Sequence, residues 1–93
     1  MSAVSEMAPG ITVQVRYFAS LREALGSGHA VALPGGCTVA GLRDILVARG
    51  GAHALVLARG RAVRAAVAQQ MAADDTALND GAEVAFFPPV TGG

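Results

Sequence analysis

The 93-residue sequence predicts one α+β domain, a small sheet carrying a main helix. Three observations lead there. Strict alternation of apolar and polar residues begins at Ile11 and marks a half-buried strand. A second short run, His29 to Leu33, lies between Gly28 and Pro34-Gly35-Gly36 and fits the return strand of a hairpin. Beyond Thr38, apolar residues recur at helical spacing, and such a helix must lay its single apolar stripe across the sheet that the two strands began.

In the first strand Ile11, Val13, Val15 and Tyr17 share one face, and Thr12, Gln14, Arg16 and Phe18 share the other. Ser20 and Glu23 have the spacing of a capping box, which predicts a short helical turn over 21–25 ended by Gly26. Thr38 suits the N-cap of the main helix, whose stripe is Val39, Leu42, Ile45 and Leu46, with Arg43, Asp44 and Arg49 elsewhere on the wheel; Gly50-Gly51 ends it. Residues 62–73 support two readings. Alanine content and the spacing of Val63, Val67 and Met71 favour a helix, while Val63, Ala65 and Val67 also alternate against Arg64, Ala66 and Ala68 as a strand would. Asp74-Asp75 and Asn79-Asp80-Gly81 mark turns around Leu78. The last strand, 82–87, puts Val84 and Phe86 on one face and Glu83, Ala85 and Phe87 on the other, so Phe87 is the aromatic expected to be exposed. Residues 1–10 read as a disordered leader in which Met7 could serve as an alternative start, 11–87 as the folded body, and 88–93 as an extended tail.

Composition narrows the function. Seven arginines balance seven acidic residues with no basic run, which argues against a nucleic-acid partner. The apolar stretches fall far short of the roughly 20 residues of a membrane span, and the expected setting is the cytoplasm. Cys37, the single cysteine, excludes an intrachain disulfide and a multi-cysteine metal site; it reads as a small, half-buried residue before a helix. His29 and His53 have no carboxylate or nucleophile at a suggestive spacing and read as surface or loop residues. No motif of a self-contained active site is present, and no metal ligand set is expected.

Function concentrates in the tail. Gly92-Gly93 closes a run in which Pro88 and Pro89 each fix φ and remove a donor, so sheet pairing ends by Pro88 and a stiff stalk bears a tip narrow enough for a tunnel without room for a β-carbon. That placement suggests the terminal carboxylate as the reactive group. With no lysine anywhere in the sequence, an activated carboxylate could not be lost to an ε-amine of another copy.

Tyr17-Phe18-Ala19, Leu21-Arg22-Glu23, the helix capped by Thr38, and above all the run from Asp80 to Gly93 carry a family resemblance. Over Ile11 to Gly93 the sequence resembles the small subunits of molybdopterin synthase, the MoaD-type sulfur carriers. That resemblance implies a β-grasp, ubiquitin-like fold, a mixed sheet on one main helix with short extra helical turns, and hence a strand near 62–69. It implies that Gly93 is adenylated with ATP by a partner resembling ubiquitin-activating enzymes, receives sulfur from a donor system as a thiocarboxylate, and donates it to a pterin precursor. The acceptor would be a MoaE-type large subunit, in a heterotetramer. No stably bound cofactor is implied.

By the same resemblance Gly92 gives clearance, Val90 and Thr91 extend as strand-like backbone into the partner, and Pro88 and Pro89 hold the exit direction. Phe87, Phe18 and, more weakly, Met71 would contact the large subunit. Arg59, Arg61 and Arg64 form a cluster that fits either a solvated face or a contact with the activating enzyme. The sequence departs from the family where Ala66-Val67-Ala68 replaces the common Ala-Val-Asn before a turn. Rival readings are the thiamine-pathway sulfur carrier, whose tails usually lack paired prolines, a ubiquitin-type protein modifier, and a passive interaction module.

Overall fold

The computed structural model describes residues 10–89. Its elements are β1 (Ile11–Tyr17), α1 (Ala19–Leu25), β2 (Gly28–Leu33), α2 (Val39–Val47), α3 (Gly51–Leu57), β3 (Arg64–Val67), β4 (Gln70–Ala72) and β5 (Glu83–Phe87). The five strands form one sheet in the order β2-β1-β5-β3-β4, with β1 and β5 parallel and the other pairs antiparallel. This is the β-grasp arrangement, a mixed sheet with its helices on one face.

Alternation in β1 decides which face that is. Val13, Val15 and Tyr17 are buried with Val31 and Leu33 of β2 and Val84 and Phe86 of β5, and the helices add Leu21, Val39, Leu42, Leu46 and Leu57 to the same core. β1 crosses to β2 by a tight approach that requires glycine: a Cβ on Gly28, at φ 146°, would stand 2.1 Å from the Val15 carbonyl oxygen. Thr38 caps α2 as its sequence suggests, its Oγ1 accepting from the Gly41 amide at 3.1 Å. Val39 and Ala40 amides donate to Thr76 and Asp74 carbonyls, so the turn segment after β4 satisfies the remaining donors of that helix end.

Four local features differ from the sequence reading or go beyond it. No capping box forms, because α1 begins at Ala19 with Phe18 as its N-cap and no side-chain cap bond, which leaves Ser20 inside the helix. Gly50-Gly51 ends α2, and it also starts α3: Gly50 at φ 77° reverses the chain, and seven further residues wind into a helix that buries Leu57. Arg43, off the apolar stripe of α2, is nevertheless buried, at 5% exposed. Its Nε donates to the Leu57 carbonyl at 2.6 Å and its Nη2 to those of Ala58 and Arg61 at 2.6 and 2.9 Å, so one guanidinium replaces the water that the end of α3 would otherwise need. The fourth concerns the histidines, described with the site.

The ambiguous segment is a hairpin. β3 pairs with β5 through Arg64↔Phe87, Ala65↔Phe86, Ala66↔Ala85 and Val67↔Val84, and folds back on β4 through Ala66↔Met71. Its two turn residues, Ala68 and Gln69, sit at φ 52° and 69°, a left-handed pair that Asn-Gly would adopt more readily.

Candidate functional site

Two strands hold β5 from either side, so the chain leaves the sheet at its centre. Phe18 donates its amide to the Phe86 carbonyl at 3.1 Å on one side, and Arg64 pairs with Phe87 on the other. Pro88 and Pro89 follow, both half-buried. With no amide hydrogen and a fixed φ, they do not extend the ladder of β5. Val90, Thr91, Gly92 and Gly93 lie outside the described residues, as does most of the leader.

Beside this exit lies the sheet face that no helix covers. Phe18 continues the outward side of β1 in extended conformation before Ala19, at φ 55°, turns the chain into α1. In strand register, Arg16, Ala85, Ala66 and Met71 form one row across the face, and Phe87 and Arg64 begin the next. Arg16 and Glu83 form an ion pair at 3.2 Å. Because Ala66 and Ala85 are small, the face dips into a depression of about 240 Å³ lined by Arg16, Phe18, Ala66, Gln69, Glu83 and Ala85.

Exposure reorders the aromatic candidates. Phe18 is 42% exposed and Met71 65%, whereas Phe87 is half-buried. Phe87 has the outward orientation expected of it, but its central strand shelters it and Phe18 is the more exposed ring. On the helix side of the exit, a groove of about 300 Å³ runs past Pro88 between Leu21, Val56, Arg61 and Val63.

The arginine cluster separates into distinct roles. Arg59 lies fork-on on Asp44, with both bonds at 2.8 Å, and lowers that carboxyl below its ordinary range. Arg61 donates from Nε to the Leu55 carbonyl at 3.0 Å. Arg64 stays exposed on the outer face.

The histidines are neither isolated nor in loops. His29 lies in β2 and His53 in α3, with ring centroids 6.0 Å apart at near right angles. The Tyr17 hydroxyl and His29 Nε2 are 2.9 Å apart, and Arg49 reaches His29 Nδ1 at 3.4 Å. Arg49 can only donate, so His29 Nδ1 accepts, and Nε2 carries the proton and donates to Tyr17. Burial, with Arg49 nearby, lowers both imidazoles, and burial pushes the Tyr17 phenol up to about 12. The sequence hides this group because its members come from different elements. Cys37 is half-buried, as its sequence context suggests, and burial raises its thiol. Among the described residues no helix is long and apolar enough to cross a membrane.

Residues 15–93 match the ThiS family. The sequence is 42% identical over 81 residues to the molybdopterin synthase sulfur carrier subunit of Escherichia coli K12, spanning 87% of this chain and 99% of that relative. It is 35% identical, with the same coverage, to the protein of that name from Haemophilus influenzae. Among solved structures, small archaeal modifier protein 1 of Haloferax volcanii superimposes with a TM-score of 0.70 at 29% identity, covering 86% of this chain and 99% of that one.

Proposed function

The chain belongs to the ThiS family, and from that membership we propose that it is the sulfur-carrier subunit of a molybdopterin synthase. The observation that carries the reading is the central position of β5. A strand pinned on both sides runs into Pro88-Pro89 beside a bare, partly apolar face.

The chemistry follows from the terminal carboxylate. Its charge is spread over two oxygens, which makes it a poor electrophile. Attack of the Gly93 carboxylate on the α-phosphorus of ATP, with loss of pyrophosphate, gives an acyl adenylate. Sulfide then adds at the acyl carbon, AMP leaves and the thioacid loses its proton. The product is a thiocarboxylate, an anionic soft nucleophile, and two such loaded carriers supply the two dithiolene sulfurs of the pterin. ATP is consumed on an activating enzyme that resembles ubiquitin-activating enzymes, and the carrier keeps no bound cofactor. Gly92 gives clearance in the partner's channel, Val90 and Thr91 extend through it, and Phe18, Phe87 and Met71 seat on a large subunit of MoaE type. The assembly is a heterotetramer working in the cytoplasm.

Reconstitution tests this reading. The sulfur-loaded protein, mixed with the large subunit and the pterin precursor, is expected to yield molybdopterin, and a chain lacking Gly93 to yield none. Undiminished product from the shortened chain would contradict it. A second reading, a protein modifier, is favoured by the likeness to small archaeal modifier protein 1. It predicts isopeptide bonds between the tail and lysines of other proteins in cells, which the carrier reading does not.

A further inference from the structure

We propose that Arg64 recognises a carboxylate on the large subunit and sets the rate at which this carrier docks; the proposal rests on the carrier reading above. Of the three clustered arginines, Arg59 is committed to Asp44 and Arg61 to the Leu55 carbonyl. The segment that bears those two is held from within by Arg43. Arg64 has no hydrogen bond or ion pair to another described residue.

Its position gives that free charge a use. The register Arg64↔Phe87 places it on the outer face, next to the last residue of β5 before the tail, and Ala66↔Met71 puts the exposed Met71 on the same face. The other charges there, Arg16 and Glu83, neutralise each other at 3.2 Å. The exit end of the face therefore has an apolar surface with one guanidinium at its rim that no described residue neutralises. A partner that covers the apolar part also strips water from Arg64, a loss that a carboxylate opposite would offset through the two parallel bonds that a planar guanidinium offers. The matching surface is thus an apolar patch with an acidic residue beside the mouth that admits the tail.

Association of the full chain with the large subunit, followed by stopped-flow over a range of salt concentrations, tests this. Arg64→Glu is expected to slow association about tenfold at low salt, with the gap closing as salt rises. Arg22→Glu, the same charge change on α1, is expected to slow it by less than about twofold. Thermal melts of both variants show that they fold, and Arg64→Ala, which introduces no new charge, is expected to fall between wild type and Arg64→Glu. Equal association rates and salt slopes for Arg64→Glu and Arg22→Glu would overturn the proposal, as would an effect confined to loading by the activating enzyme. Failure of the unaltered protein to bind the large subunit at any salt would overturn the carrier reading together with it.

Discussion

Arg43 closes a helix from inside the core. Three carbonyls at the end of α3 and beyond it accept from its guanidinium, and the residue is 5% exposed, so its removal strands acceptors that water reaches poorly. Arg43→Ala is expected to cost roughly 3 kcal/mol in urea unfolding. Arg43→Lys should recover only part of that, because one ammonium cannot span all three oxygens; full recovery would show that charge alone suffices. The β3–β4 turn offers the opposite opportunity. Ala68→Asn with Gln69→Gly places residues that favour φ > 0 where the backbone already has it, and is expected to add about 1 kcal/mol, some 4–8 °C in the melting midpoint. The histidine pair makes stability depend on pH. Both imidazoles titrate below 6.5 in the folded state, so the folded protein binds fewer protons than the unfolded chain. Stability contributed by these groups is fully present above 6.5 and declines as pH falls through it toward the lowered folded values. Urea unfolding at several pH values below neutrality measures the decline, and His53→Phe is expected to flatten it.

At the scale of elements, legibility followed the range of the interactions that decide each one. β1 is legible because each of its faces meets one environment, core or solvent, and alternation records that residue by residue. The α2 cap is legible because Thr38 and Gly41 are three residues apart. Residues 62–73 are not, since alanine favours a helix locally and the decision comes from pairing with β5, which is distant in sequence. The burial of Arg43 is not legible either, because its acceptors lie 14 to 18 residues further on. The same separation hides the Tyr17–His29–His53 group. The outer face is legible in its alternation, yet the ranking of its aromatics depends on which strand is central. That face makes a prediction of its own: Met71→Ser, at a site 65% exposed, is expected to leave stability within about 0.5 kcal/mol. The same change should weaken binding to the large subunit by about tenfold. Loss of stability without loss of binding would move Met71 from the interface to the fold.

For the molecule as a whole, the fold sets the place at which the described chain leaves the sheet. Parallel pairing of β1 with β5 brings the last strand to the middle of the sheet, helices cover one face, and the other is left for a partner. The residues with a chemical role in the proposal, Gly92 and Gly93, have no side chain, so they are legible only from sequence position and family resemblance. In the proposal, the rest of the domain supplies recognition. The most direct test is the intact mass of the protein after incubation with ATP, a sulfide source and an activating enzyme from the same cell. Replacement of one oxygen by sulfur, a gain of about 16 Da located at Gly93 and lost when the large subunit and pterin precursor are added, is the predicted result. No gain, under conditions that load a known carrier, would contradict the account.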